Sequence, residues 1–285
     1  MTKIATTLLA GTALFGLTVA AQAADMGGML RGPAVVQPVA EAPVSSGWYL
    51  RGDVGVGFSQ RPSLESIEPG LSKTFISRDL GDQPFVQLGI GYQFSDYLRG
   101  DVTAEYRGSA RLRGTSTYAS TYGGNPSTNF VSYDTNVRSL AVMANGYIDL
   151  GHYSGLTPYV GAGIGAAYNQ MDDVYTQTSF YVGGSPQVPQ QGIMSGSHKW
   201  NLAWALHGGM SWDVNPNLKV DVGYSYKDFG SLTSGIQNCM SGSGCNEKLG
   251  VKHLAFHDVR IGARWMIDPV VRPAPVYGAP VFAKN

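Results

Sequence analysis

The sequence predicts an all-β chain, an eight-stranded antiparallel up-and-down transmembrane β-barrel, and three observations carry that expectation. The first is alternation. Phe85 to Phe94 (FVQLGIGYQF) places Val86, Leu88, Ile90, Tyr92 and Phe94 on one face and Phe85, Gln87, Gly89, Gly91 and Gln93 on the other. The bulky apolar face against a small polar one inverts the pattern of a soluble sheet, and fits a closed sheet whose outside meets lipid and whose inside does not. The second is composition: charged residues make up 14% of the 285 and glycine is abundant at 38, without the Glu/Lys/Ala-rich stretches of a helical protein. The third is a regular alternation of long and short connections between the strand candidates.

Taken in order, the first strand spans Trp48 to Phe58, with Trp48, Leu50, Val54, Val56 and Phe58 outward and Tyr49, Arg51 and Asp53 inward. The second is Phe85 to Phe94. Leu98 to Arg107 follows, with Arg99, Asp101, Thr103, Glu105 and Arg107 on its inner face. The fourth, about Val137 to Leu150, sets Leu140, Val142, Ala144 and Ile148 outside and Asn145, Tyr147 and Asp149 inside. Thr157 to Tyr168 opposes Val160, Ala162, Ile164 and Ala166 to Gly161, Gly163 and Gly165. Lys199 to Val214 displays Trp200, Leu202, Trp204, Leu206, Met210 and Trp212 outward. After a tight Asn215-Pro216-Asn217 turn, Leu218 to Asp228 sets Val220, Val222, Tyr224 and Tyr226 against Lys219, Asp221 and Lys227. The eighth ends near Ile267, with Val259, Ile261, Ala263, Trp265 and Ile267 outward and Asp258, Arg260 and Arg264 inward.

Long outer loops and short periplasmic turns are the rule for outer-membrane barrels, and an even strand count leaves both ends on the periplasmic side. Ten residues at about 3.3 Å each, tilted about 45°, cover roughly 24 Å, the height of the apolar band. Two aromatic girdles are expected: Trp48, Tyr92, Phe94, Trp212 and Trp265 at the periplasmic ends, and Phe58, Tyr106, Tyr168, Trp200, Tyr224 and Tyr226 at the outer ends. The loops are rich in Ser, Thr, Tyr, Gly and Asn, as in Thr115 to Thr128 (TSTYASTYGGNPST). That composition suits either an adaptable contact surface or a flexible hydrophilic cap.

Around the barrel, residues 1–23 read as a secretory signal peptide, with Lys3, an apolar run and the small-residue exit Ala21-Gln22-Ala23. Residues 24–46 read as a Pro-rich periplasmic linker, 47–267 as the barrel and 268–285 as a Pro-rich periplasmic tail. The protein is therefore expected to be exported to the bacterial outer membrane. Cys239 and Cys245, in a Gly/Ser-rich segment, are expected to form a local disulfide in that oxidising compartment.

Twenty basic and twenty acidic residues balance, which gives no electrostatic basis for a nucleic-acid partner. The expected inner face carries a charge network of Arg51, Asp53, Arg99, Asp101, Glu105, Arg107, Lys219, Asp221, Arg260 and Arg264, joined by Asp149, Asp213, Lys227 and Asp258. Eight strands enclose only enough room for side chains, so this network is expected to plug the lumen; a narrow, porin-like channel is the alternative. Gly161, Gly163 and Gly165 lie on one strand face with no helix after them, so they are not a nucleotide loop. Their expected role is to leave room for Arg and Tyr side chains across the lumen. No catalytic site is assigned: His207 has lumen parity but no serine or carboxylate falls to it by spacing, and no metal site is expected.

The runs WYLRGDVGVGF, TPYVGAGIGAAY and NLAWALHGGMSWDVNPNLKVDVGYSYKDFG resemble the small eight-stranded outer-membrane proteins of alphaproteobacteria. That family is porin-like, includes surface antigens and hemin-binding proteins, and is similar in fold to the transmembrane domain of OmpA. The resemblance covers about Gly47 to Ile267 and implies fold and location rather than an activity. It also implies an alternative role as a heme-binding surface receptor, through His198, His253 and His257, with the last two sharing a face near the outer end of strand eight. The family's usual terminal aromatic is replaced by Trp265-Met266-Ile267 and a proline-containing tail, so the barrel-assembly machinery is expected to read the internal Trp265 signal. The overall expectation is a monomer, not an enzyme, with a structural and surface-interaction role. Its partners are outer-membrane lipid and an extracellular ligand or host surface met through the long loops.

Overall fold

The computed structural model describes residues 46–68, 70–239 and 246–267. The expected signal peptide, nearly all of the expected linker, and the tail lie outside the described residues, as does Cys245 of the expected disulfide.

Eight long strands form the barrel: β1 Gly47–Ser59, β2 Gln83–Gln93, β3 Leu98–Tyr122, β4 Asn125–Asp149, β5 Leu156–Met171, β6 Ser197–Asp213, β7 Leu218–Asp228 and β8 Ala255–Met266. Each pairs antiparallel with its chain neighbour. The ring then closes where β8 returns to β1, with Leu50 opposite Trp265, Val54 opposite Ile261 and Phe58 opposite His257. Closure is what lets every strand satisfy its backbone without water. Among the described residues no helix is long and apolar enough to cross a membrane.

The alternation read from the sequence sorts side chains as expected. Leu88 and Leu202 are each 70% exposed and Ile164 58%, whereas Arg51, Asp101, Arg107 and Asp258 are buried. An apolar surface of that extent, continuous around the ring, needs hydrocarbon outside it. The periplasmic girdle is visible as packed rings: Trp48 meets Tyr92 at 5.3 Å and Tyr92 meets Phe94 at 5.2 Å, both edge-on.

The short turns are built by their own side chains. Ser95 Oγ accepts the N–H groups of Tyr97 and Leu98 at 3.3 and 3.2 Å, and Asn215 Oδ1 accepts those of Asn217 and Leu218 at 2.9 and 2.8 Å.

At the other end the structure departs from the expected flexible loops. β3 and β4 do not stop at Arg107 and Val137. They pass a register shift between Arg107 and Ala110 and continue as a hairpin to a two-residue turn at Gly123 (φ 57°) and Gly124 (φ 81°). A side chain is strained at both of those backbone angles, and such a turn matches the twist of the strands it joins. The Thr115 to Thr128 segment is therefore mostly strand. Its Ser, Thr and Tyr residues suit strands as well as they suit loops, so composition alone does not separate the two.

Thr74–Leu80 pairs with the outer part of β3, while Val174–Val182, Gln190–Met194 and Gln237–Cys239 extend the sheet beyond β4. A separate three-stranded sheet of Ser63–Ile67, Lys248–Lys252 and Leu232–Thr233 ties the first outer connection to the fourth. Under these strands lies an apolar core that includes Leu64, Leu112, Val131, Met194, Leu249 and Phe256. Each such side chain contributes about 1.5–3 kcal/mol by leaving water, which holds the outer connections in one arrangement.

Candidate functional site: lumen charges and the outer cap

The period of two puts a charged or polar residue from each strand into the lumen, and register between strands decides the pairs. At the end near the short turns, Arg264 Nε donates to Asp221 Oδ2 at 2.7 Å and its Nη2 to Ser211 Oγ at 2.7 Å. Arg99 Nε meets Asp149 Oδ1 at 3.1 Å, and its guanidinium carbon lies 4.2 and 4.6 Å from the ring centres of Tyr147 and Tyr159. In the middle, Arg51 bridges Asp101 at 2.7 Å and Asp53 at 2.8 Å, while Arg260 reaches Asp53 and the Tyr159 hydroxyl, each at 3.3 Å. Towards the cap, Arg107 holds Glu105 at 2.6 Å and forks onto both carboxylate oxygens of Asp258. Lys227 reaches the same two carboxylates. Arg107 sits among the rings of Phe85, Phe229 and Phe256.

Among the expected network residues, Arg51, Asp53, Arg99, Asp101, Glu105, Arg107, Asp221, Arg260 and Arg264 are each at most 5% exposed. Lys219 differs. It pairs with Asp213 at 2.9 Å, with both side chains about a fifth exposed, as a rim pair rather than a member of the buried layers. The strand glycines give these side chains room: a methyl on Gly91 would collide with the Tyr49 ring, and one on Gly161 with the Tyr147 ring.

The histidines separate into different settings. His207 Nδ1 lies 2.8 Å from Ser225 Oγ and its Nε2 3.2 Å from Asn145 Oδ1, so a serine is in reach that spacing did not assign. The third group is an amide rather than a carboxylate, and Ser225 has no exposed surface for an acyl group to approach. His253 and His257 do not share a strand face. β8 begins only at Ala255, and His253 precedes it with φ 56°, in a turn where it faces Asp228 at 3.2 Å. His257 lies in the outer girdle, 2.6 Å from the Tyr224 hydroxyl, and His198 packs on Tyr168. Among the described residues no group of three or more His, Cys, Asp or Glu side chains is arranged to hold a metal ion.

The cap carries a polar cluster that periodicity does not reveal. Glu247 accepts from the Tyr133 hydroxyl at 2.5 Å and from Ser66 Oγ at 2.7 Å, and pairs with Lys73 at 2.7 Å. Lys73 also meets Glu68 at 3.1 Å and lies 5.0 Å from the Tyr118 ring centre. The first, second and fourth outer connections thus converge on one buried carboxylate. Burial first, and then the Glu247 charge, push the Tyr133 hydroxyl well above its ordinary ionisation range.

A raised phenol pKa means that the folded cap holds its proton more tightly than the unfolded chain does. The corresponding stability is complete below the ordinary tyrosine value of about 10 and is lost as pH rises through the folded value. Cap proteolysis is therefore expected to accelerate only above that ordinary value, and Tyr133→Phe to flatten the alkaline limb. An unchanged alkaline limb in the phenylalanine variant would place the effect elsewhere.

A closed barrel with a lipid-facing belt, an ion-paired interior, short turns at one end and long extensions at the other defines an outer-membrane β-barrel protein. The chain belongs to the family described as outer membrane protein beta-barrel domain, whose model matches residues 9–265, and its place is the bacterial outer membrane. It is 34% identical over 226 residues to an uncharacterised protein of Brucella abortus, covering 74% of this chain and 78% of that one. It is 26% identical over 224 residues to a candidate adhesin of Rickettsia conorii, covering 78% and 83%. Among solved structures it is similar to the outer membrane protein OprG of Pseudomonas aeruginosa, at 15% identity and TM-score 0.46, covering 79% of this chain and 96% of that one. It is also similar to Neisserial surface protein A, at 17% identity and TM-score 0.35, covering 78% and 99%.

Proposed function

We propose that this protein is a non-enzymatic surface-interaction barrel whose lumen is stoppered by its ion pairs and whose contacts are made by the folded outer sheet. The observation that carries this reading is the continuation of β3 and β4 into a hairpin whose base packs on the apolar core shared with the other outer connections and which ends in an exposed tip at residues 119–126. A rigid stem costs little ordering entropy on binding, and a tip of Ser, Thr, Tyr and Asn residues offers adaptable hydrogen bonding around aromatic anchors. Tyr122 is 61% exposed there and packs 5.9 Å from Phe180 of the neighbouring hairpin. The adhesin name of the Rickettsia relative agrees with this role. In this reading the barrel runs no reaction, conducts no ions and holds no heme.

The test is to display the protein on a non-adherent bacterium and count cells retained on cultured host cells. Wild type is expected to raise retention several-fold, and a variant with residues 119–128 cut to a two-residue turn to lose that gain while keeping heat-modifiable gel migration. Equal retention of empty and displaying cells would refute the role. Equal retention of wild type and the shortened variant would move the contact off this hairpin.

A further inference from the structure

The far end of the outer sheet carries no charge. In a chain that is 14% charged, residues 114–133 and 174–197 contain no Asp, Glu, Lys, Arg or His. These two stretches pair with one another, so the gap in charge is a continuous surface: Thr128 faces Tyr181, Phe130 faces Ser179 and Ser132 faces Gln177. Charge begins again two residues closer to the membrane, where Arg113 faces Asp134. Lys73 approaches this region at the Tyr118 ring, 5.0 Å from its centre, but it is buried and paired with Glu68 and Glu247 and so offers no free charge.

The two faces of this sheet differ. Phe130 and Tyr181, 6.3 Å apart, lie on the face that continues down into the lipid-contacting belt. Tyr122 and Phe180, 5.9 Å apart, lie on the other, which lower down packs on the cap core through Leu112, Val131 and Tyr133. Above that core the face emerges from cover: Tyr118 is half-buried, and Ser120 and Tyr122 are exposed. In its registers Tyr118 faces Asn129, which faces Phe180, and Ser120 faces Ser127, which faces Val182. Ser127 is 3% exposed, and its hydroxyl has no hydrogen-bond partner among the described residues. An unmatched buried hydroxyl is unfavourable in the free protein, so a ligand that supplies its partner gains from it.

The absence of charge sorts the possible partners. A sulfated or phosphorylated partner needs cations to hold it, and a charged protein surface needs opposite charge; the sheet end supplies neither. A lipid surface needs a contiguous apolar patch, whereas these rings are interleaved with Ser, Thr and Asn. An uncharged sugar matches both features. The C–H face of its ring is apolar and stacks on an aromatic plane, and its hydroxyls exchange hydrogen bonds with hydroxyls and amides, which donate and accept. We propose that the Tyr122 face of the sheet end binds neutral oligosaccharide chains of an opposing cell surface, with a sugar ring stacked on Tyr122 and a sugar hydroxyl completing Ser127. This inference names the partner of the surface-interaction reading above and rests on that reading.

The experiment passes the full chain, folded in lipid nanodiscs, over beads carrying a panel of neutral oligosaccharides built from hexoses, fucose and N-acetylhexosamines. Sulfated versions of the same chains and bare linker serve as comparisons. Neutral chains are expected to retain the protein above bare linker, sulfation to give no gain, and a rise from about 0.05 to 0.5 M salt to change retention less than about twofold. Tyr122→Ser is expected to bind about tenfold more weakly and Tyr122→Phe, which keeps the ring, within about twofold of wild type. Ser127→Ala removes the unmatched hydroxyl, so it is expected to fold at least as well as wild type while binding about fivefold more weakly. Tyr181→Ser, on the reverse face, is expected to leave binding unchanged. The proposal is overturned if no neutral chain exceeds bare linker, if sulfated chains are preferred, if the folded Tyr122→Ser and Ser127→Ala variants bind like wild type, or if Tyr181→Ser weakens binding equally. Periodate, which cleaves sugar diols, is also applied to the host cells of the retention assay, and lost retention is expected. Retention that survives periodate but is lost to protease overturns the glycan partner and leaves the surface role standing, whereas displaying cells that never adhere refute that role and this inference with it.

Discussion

Arg107→Met is expected to destabilise the folded barrel by about 3–5 kcal/mol, because it leaves two buried carboxylates sharing a single cation. Arg107 contacts Glu105 and both oxygens of Asp258, and none of the three has exposed surface beyond 2%. Lys227 reaches both carboxylates, yet one ammonium cannot replace a fork with five donors. The guanidinium also fills space among Phe85, Phe229 and Phe256, which methionine partly recovers, so the loss is mainly electrostatic. Urea unfolding in vesicles, followed by heat-modifiable gel migration, reads the difference directly. The double variant Arg107→Met/Asp258→Leu removes one charge of each sign and is expected to regain most of the lost stability, leaving Lys227 with Glu105. A double variant no more stable than the single one would mean that packing, not charge, holds this layer.

Planar bilayers carrying the wild-type protein are expected to show no discrete conductance. Three successive layers cross the bore: Arg264–Asp221 with Arg99–Asp149, then Arg51 with Asp53, Asp101 and Arg260, then the Glu105–Arg107–Lys227–Asp258 quartet. In the stoppered-lumen reading proposed above, an ion passing through would have to separate paired charges in each of them, and the balanced signs favour neither cations nor anions. Glu247→Leu, which unties the cap by removing the partner of Tyr133, Ser66 and Lys73, is expected to stay equally silent while its outer connections become open to protease. Discrete steps from wild type would sink the stoppered-lumen reading. Steps from Glu247→Leu alone would show that the cap, not the lumen, is the closure.

The parts of this molecule legible in the sequence are those set by a period of two. Trp48 to Phe58 and Leu218 to Asp228 lie within or match the observed β1 and β7, and the apolar parity of each strand is the exposed parity. The sequence also named the charged residues that enter the lumen, because any strand with an apolar outer face must turn its alternate residues inward. Lys219 is the instructive exception. It has lumen parity, yet it lies one residue into β7 at the barrel rim, and parity says which way a side chain points but not how deep it sits. The hairpin beyond Arg107 escaped because Ser, Thr and Tyr alternate weakly and read equally well as loop. His253 lies off the strand face that its spacing to His257 suggests, because the chain turns there, as only its backbone angle reveals.

The sequence by itself determined the class, the membrane-spanning parts of the eight barrel strands, the lipid-facing belt and, Lys219 apart, the membership of the polar interior, since each follows from the alternation of neighbouring residues against two solvents. Only the tertiary structure decided which charges pair, that the outer connections fold onto a core, and that Tyr133 meets Glu247 across 114 positions of chain and Arg107 meets Asp258 across 151. The physical reason is that periodicity is a local property. Pairing depends on the relative register of strands far apart in the chain, which closure of the ring sets.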